Sequence, residues 1–269
     1  MNTRSIVIDC DPGVDDAIAL LLAFASPEEL DVVGVSTVAG NVDLDRTSEN
    51  AIRICELAGR DDVPVYAGCS RAILRPRSDA QHIHGETGLE GADLPNLRGN
   101  FADGHAVDFL IQTCAAQPGN VTLCAMGPLT NVALAIIKDP NIIGNIEEIV
   151  LMGGAIGAGN VTPSAEFNIF VDPHAAAVVF ACGAQLTMVG LDVTHQAIVT
   201  PRRLDAVRAI DTSVGRAVAG LLDHYHRVDL ERYGVPGSPL HDPCVIAYLL
   251  RPELFSGRSA YVEVETQSE

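Results

Sequence analysis

The segment Ile6-Val7-Ile8-Asp9-Cys10-Asp11-Pro12-Gly13-Val14-Asp15-Asp16 constrains this chain more than any other, because an apolar run meets four carboxylates within eight residues. A β-branched triplet such as Ile6 to Ile8 reads as a buried strand, and Pro12-Gly13 as a sharp turn. Ala17 to Leu22 reads as a helix whose first turn carries Asp15 and Asp16. The acids therefore sit where a strand ends and a helix begins, which in an open α/β sheet is where ligands bind. A cap or a helix dipole explains one such acid, at about 0.3–1 kcal/mol. Four acids repel one another unless a cation or a protonation event uses them. The segment is read as a site for a hard cation or for acid/base chemistry.

The rest of the chain alternates in the same way. Asp31 to Val38, Val63 to Tyr66, Val121 to Met126, Glu148 to Met152 and Gln185 to Leu191 read as strands. Between them, helical spacing runs through Ala51, Ile54, Cys55 and Ala58, through Ala106 to Ala116, and from Gly127-Pro128-Leu129-Thr130-Asn131 onward. Asp172-Pro173 starts a further helix that runs to Cys182, with Asp as cap and Pro at the first helical position. Strands alternating with helices predict a parallel sheet with right-handed crossovers.

Pro201 to Arg232 reads as mainly helical, Asp242-Pro243 caps a helix through Leu250, and Tyr261 to Glu265 reads as a last strand. Residues 68 to 104 break the rhythm, and a long irregular segment inside a compact domain is usually functional or mobile. No linker and no repeat divides the 269 residues. The expected fold is a single α/β domain: an open, mainly parallel, Rossmann-like sheet with helices on both faces and its site at the C-terminal ends of the strands.

Charge narrows the partners. A net charge of −18 with Lys138 as the only lysine argues against nucleic acid or an anionic membrane, because both require clustered Lys and Arg. The seven cysteines are odd in number and never spaced C-x-x-C, which fits reduced thiols rather than a disulfide frame or a zinc site. Met1 to Arg4 leads at once into the acidic strand, and the longest apolar run, Ala17 to Ala25, is shorter than the ~20 residues of a membrane span. A soluble, cytoplasmic protein is expected. The glycine-rich stretch Gly153 to Gly159 contains neither G-x-G-x-x-G nor Gly-Lys-Ser/Thr, so it carries no nucleotide-phosphate motif.

Asp11, Asp15 and Asp16, joined by Asp242 if it folds back to them, offer only oxygen ligands, which suit calcium or magnesium rather than zinc. In extended chain Glu166 and Asn168 would point to one side and Phe167 to the other, and a carboxylate beside an amide is suited to hydroxyl groups. Spacing alone leaves a solvated loop equally open. His241 precedes Asp242, where it is either an exposed neighbour of a helix cap or a proton donor beside a metal-binding acid. His82, His84, His224 and His226 read individually as surface or hydrogen-bonded residues.

Asp9-Cys10-Asp11-Pro12-Gly13-Val14-Asp15-Asp16 resembles the D-x-D-P-G-x-D-D signature of the inosine-uridine-preferring nucleoside hydrolases. The resemblance continues through Gly40-Asn41, His84 to Leu89, Gly127 to Asn131, Met152 to Ala155, Glu166-Phe167-Asn168 and His241-Asp242-Pro243, covering essentially the whole chain. It implies a calcium-dependent enzyme that hydrolyses the N-glycosidic bond of ribonucleosides to free base and ribose, and a homo-oligomer, dimer or tetramer. By that likeness Asp11, Asp16 and Asp242 would be the calcium carboxylates, with the Met126 carbonyl completing the set. Asp15, Asn41, Asn160, Glu166 and Asn168 would hold the ribose, and His84, Met152, Phe167, Tyr225 and His226 extend the substrate-binding set. Asp11 would also be the base that deprotonates the calcium-bound water, and His241 the acid for the departing base. Asp9 would support them from behind.

The likeness has two departures. Family members that accept both inosine and uridine place a further aromatic one turn after a Tyr such as Tyr225, and here that position is Asp229, with Tyr233 a possible substitute. Relatives also continue beyond the Val262 to Thr266 strand into further sheet and a terminal helix, so the chain as given is expected to lack those elements. Two rival readings carry different chemistry. A calcium-dependent ribose- or nucleoside-binding protein would use the same acids without turnover. A haloacid-dehalogenase-type phosphatase would use Asp9-Cys10-Asp11 as its strand-end D-x-D, but it needs a basic group for phosphate that Lys138 is poorly placed to supply.

Overall fold

A computed structural model describes residues 3–233 and 237–267, apart from the side chains of 229, 232 and 233. The chain begins β1 (Arg4–Cys10), α1 (Val14–Phe24), β2 (Leu30–Thr37), α2 (Leu44–Ala58) and β3 (Val65–Ala67). The short helix α3 (Gln81–His84) lies in the irregular segment before α4 (Ala106–Ala116). Then follow β4 (Val121–Ala125), α5 (Thr130–Lys138), β5 (Ile146–Met152), α6 (Phe167–Val171), α7 (Pro173–Ala181) and β6 (Leu186–Val189). The remainder is α8 (Leu191–Thr194), β7 (Ile198–Val199), α9 (Pro201–Arg208), α10 (Ser213–Tyr233), β8 (Ser238–Pro239) and α11 (Pro243–Leu250).

The sheet runs β3-β2-β1-β4-β5-β6 and every pair in it is parallel. β1 is buried on both faces, and its alternation decides which helices go where. Ile6 and Ile8 pack with α1, α2, α10 and α11, whereas Val7 packs with α4, α5 and α7 on the other side. All three are fully buried, and each such side chain contributes about 1.5–3 kcal/mol of apolar burial. The strand order reverses between β1 and β4, so their C-terminal ends splay apart around a crevice. The acidic segment follows β1, and Met126-Gly127 follows β4, on the two sides of that crevice.

Local signals set the element ends. Asp43 caps α2 by accepting from the Arg46 amide at 2.9 Å, and Gly59 closes it with a left-handed φ of 68°. Asp172 caps α7 from the Ala175 amide and also accepts the Thr130 hydroxyl at 2.8 Å, which ties α7 to α5. β7 and β8 form a small antiparallel pair that the sequence pattern does not reveal.

Two expectations are corrected. Tyr261 to Glu265 is not a strand: residues 255–266 carry no regular secondary structure, no described strand pairs with them, and Tyr261 is 89% exposed. A strand needs a partner ladder, and β-branched alternation alone does not supply one. Asp242 does not cap α11 with its side chain. Its carboxylate is turned instead toward the acids after β1. Among the described residues no helix is long and apolar enough to cross a membrane.

Candidate active site

The turn after β1 is folded around Asp16. Its carboxylate accepts the Asp11 amide at 3.1 Å, the Gly13 amide at 3.0 Å and the Asn41 side-chain amide at 3.1 Å. Asp16 thus closes the N-terminus of α1 from inside the helix, as the N3 residue of a capping box does. The Asn41 side chain also donates to the Asp11 carbonyl at 3.1 Å, so the β2 end and the β1 end form one unit.

Asp11 is held separately. Its Oδ2 accepts the Asn41 backbone amide at 2.6 Å, and the carboxylate lies between Gly40 and Gly127. A Cβ at Gly40 would come 2.1 Å from Oδ2, and one at Gly127 would come 2.6 Å from Oδ1. Only glycine leaves room for that carboxylate. Beneath it, Asp9 Oδ1 accepts the Ser36 hydroxyl at 2.5 Å and the Asn131 amide at 2.8 Å, while Oδ2 has no hydrogen-bond partner among the described residues. Burial pushes Asp9 up to about 6 against those two hydrogen bonds.

Ligand oxygens of Asp15, Asp16 and Asp242 all lie within 4.8 Å of one another. Asp11 is not in that triplet, although its charge is felt by Asp242. Burial, then the Asp15 charge, raises Asp16 to about 7, and burial followed by the Asp15, Asp16 and Asp11 charges raises Asp242 far above the usual carboxylate range. Burial and the Asp16 charge do the same to Asp11. Asp16 and Asp242 thus face one another in dry surroundings with oxygens within 4.8 Å, where two ionised carboxylates repel. Buried acids in this state need either protons or a cation, and their all-oxygen chemistry fits a hard divalent ion. The carbonyl of Met126 adds a neutral oxygen at the end of β4, where it accepts the Asn168 side-chain amide at 2.7 Å.

Glu166 and Asn168 are not on extended chain. Glu166 is the N-cap of α6 and Asn168 lies within that helix, because the Glu166 carboxylate accepts the Ile169 amide at 3.2 Å and turns the backbone. Both side chains still reach the cavity, and so does Phe167, which an extended chain would have aimed away. Glu166 also accepts the Gly154 amide at 3.1 Å, and burial raises it to about 7.

The histidines divide by environment. His84 is buried; its Nδ1 accepts the Val14 amide at 3.1 Å, which pins the first turn of α1, and its ring stacks on Tyr225 at 5.8 Å. Burial lowers its pKa. His241 is lowered to about 4, chiefly by burial, with the Asp15 charge acting against that.

A cavity of about 780 Å³ brings these groups together. Of the residues singled out in the sequence, Asp15, Asn41, His84, Met126, Met152, Asn160, Glu166, Phe167, Asn168, Tyr225, His241 and Asp242 line it. Asp11 and Asp16 lie buried immediately beneath. His226 is not among the lining residues: Tyr225 takes the inward position on α10, and the next residue is turned some 100° away. The side chains of Asp229 and Tyr233 lie outside the described residues.

Sequence reading placed Asn131 in a motif without a role and missed Thr194 and His195. Asn131 joins β1, β2 and α5 by donating to Asp9 and to the Thr37 carbonyl and accepting the Cys69 amide. Thr194 and His195 follow β6 at its C-terminal end. That location, where strand ends collect ligands, was the available signal.

Residues 6–269 match the family described as inosine-uridine preferring nucleoside hydrolase. A protein named pyrimidine-specific ribonucleoside hydrolase RihA, from Shewanella oneidensis, is 49% identical over 99% of this chain and 84% of its own. The solved structure of a purine-preferring ribonucleoside hydrolase from Gardnerella vaginalis is 34% identical and superposes with a TM-score of 0.94, covering 98% of this chain and 85% of that one. A plant nucleoside hydrolase, PpNRh1, is 36% identical with a TM-score of 0.93, covering 99% and 85%.

Proposed function

The chain belongs to the inosine-uridine preferring nucleoside hydrolase family, and from that premise we propose that it hydrolyses the N-glycosidic bond of ribonucleosides at this cavity with the help of a calcium ion. The observation that carries the reading is the cluster of Asp15, Asp16 and Asp242, with Asp11 buried close enough to act on Asp242, at the strand-order reversal and beside a cavity lined by Asn41, Asn160, Glu166 and Asn168.

Asp11, Asp16, Asp242 and the Met126 carbonyl would hold the ion. When bound, it would order the ribose diol and a water together and make that water easier to deprotonate. Asp11 takes the proton of the attacking water, its carboxylate held in place by the Asn41 amide. Asp15, Asn41, Asn160, Glu166 and Asn168 take the ribose hydroxyls. Cleavage develops positive charge on the sugar ring, which buried carboxylates around it stabilise. The bonding pair departs with the base between His84, Phe167 and Tyr225, and His241 meets the charge that arrives there.

The reading includes a cytoplasmic setting, which seven free cysteines support, and a homo-oligomeric assembly. The deciding experiment is release of free base and ribose from a panel of purine and pyrimidine ribonucleosides, with and without chelator, by the native chain and by Asp11→Asn. Hydrolysis that chelator abolishes and Asp11→Asn reduces by about 10² or more is expected. Nucleoside binding without turnover would identify a binding protein instead, and the panel gives the base preference directly.

A further inference from the structure

We propose that Thr194 is a positioning residue for departure of the base: its hydroxyl donates to Nδ1 of His241 and fixes the imidazole as the tautomer that carries its proton on Nε2. This rests on the reading that His241 meets the leaving base.

Thr194 Oγ1 lies 2.8 Å from His241 Nδ1. Thr194 is completely buried, and among the described residues its hydroxyl has no other hydrogen-bond partner. Two proton arrangements are available to such a pair. If Nδ1–H donated to Oγ1, the hydroxyl proton would be left in dry surroundings without an acceptor. If the hydroxyl donates to Nδ1, both groups are satisfied, and the ring proton must sit on Nε2.

The surroundings hold this geometry. The Thr194 amide donates to the Gly190 carbonyl at 3.1 Å, and its own carbonyl accepts the Ala197 amide at 3.0 Å, so its backbone is fixed to the turn that follows β6. The His195 ring stands edge-on to His241 with centroids 5.7 Å apart, which restricts rotation of the imidazole. His241 lines the cavity. With Nδ1 committed to Thr194, Nε2 is the polar atom left to face a ligand.

The tautomer matters because the two alternatives have opposite effects. As the C1′–N bond breaks, its electron pair moves onto the heterocycle, whose carbonyl oxygen or ring nitrogen becomes a stronger acceptor. An Nε2–H donates a hydrogen bond to that atom, whereas a bare Nε2 would present a lone pair and repel it. No proton needs to leave the ring for this effect. A leaving group already stable as an anion gains little from it.

The test compares Thr194→Val, Thr194→Ser and His241→Ala on uridine and inosine and on p-nitrophenyl riboside, whose leaving group needs no such help. Thr194→Val should lose about 10-fold or more in kcat on the nucleosides with little change in KM and little change on the nitrophenyl substrate, while Thr194→Ser keeps most of the native rate. Thr194→Ala serves if the valine variant does not fold. ¹⁵N shifts of the His241 ring, assigned by their loss in His241→Ala, should show a protonated Nε2 and an unprotonated Nδ1. A protonated Nδ1, a native kcat in Thr194→Val, or equal losses on both substrate types overturns the proposal. Equal losses in His241→Ala itself would overturn the reading of His241, a result separate from any seen with Thr194.

Discussion

The Asn168 side-chain amide donates to the Met126 carbonyl at 2.7 Å, and the same nitrogen reaches the Met152 carbonyl at 3.2 Å. One amide thereby joins the ends of β4 and β5 on the far side of the crevice from the acids. A carbonyl oxygen has two lone pairs, so Met126 can accept from Asn168 and still offer an electron pair to a cation.

Asn168→Asp tests that link with almost no change of shape. An ionised carboxylate there would face two carbonyl oxygens with nothing to donate. We expect a loss of about 1–3 kcal/mol in unfolding free energy and a fall in kcat/KM on nucleosides of more than about 10-fold. Urea unfolding and steady-state kinetics read the two effects. Native values for both would show that the amide does not organise this edge.

The glycines beside Asp11 make a second test. Gly40→Ala and Gly127→Ala each force a methyl group into the space of the Asp11 carboxylate, which is at the end of a side chain and can swing away. Activity should therefore fall by about 10²-fold, the scale of a 1 Å misplacement. The losses should not add in the double variant, because both act on one carboxylate. Additive losses would mean that each glycine serves a different function.

Removal and return of the metal test the acid cluster. Asp11, Asp16 and Asp242 are all raised, first by burial and then by neighbouring carboxylate charges, that of Asp15 acting on each of them, so the chelated protein favours holding protons on this site. Calcium at 100 times its Kd should stabilise by about 2.7 kcal/mol, or roughly 5–10 °C in melting temperature for a chain of this size. Zinc should do less, since the cluster offers no thiolate or clustered imidazole. A larger response to zinc, or none to any divalent ion, would remove the hard-cation reading.

Much of this was legible in the sequence, for identifiable reasons. Ile6 to Ile8, Val121 to Met126 and Glu148 to Met152 each specify a largely buried strand, and alternation with helices leaves few topologies other than a parallel sheet. The density of acid at Asp9 to Asp16 pointed to the switch point because the strand and turn around it are local signals. Glu166 to Asn168 misled because the carboxylate bends its own backbone by capping Ile169, which spacing cannot reveal. Thr194 was invisible because its partner, His241, is distant in sequence, and only the folded chain brings the turn after β6 beside the start of α11. His226 stands outside the cavity lining for a narrower reason: on α10 the inward position belongs to Tyr225, and the next residue is turned some 100° away.

Glu166 supplies a pH signature. Burial pushes its carboxyl from 4.5 up to about 7, so the fold favours its protonated form. The stability that this preference contributes is fully present below about pH 4.5 and is lost as pH rises through about 7. The gap corresponds to about 3 kcal/mol, on a group that is only 3% exposed. Glu166→Gln removes the titration and retains an oxygen that can accept the Gly154 and Ile169 amides. In chelated protein, the variant should therefore gain about 1–3 kcal/mol relative to the native chain between pH 5 and pH 8. Urea unfolding at the two pH values measures this difference directly, and because both proteins carry the same acidic cluster, the titrations of Asp9 and Asp16 largely cancel from the comparison. A difference that does not change with pH would mean that Glu166 is ionised throughout the range and that its two backbone donors outweigh its burial.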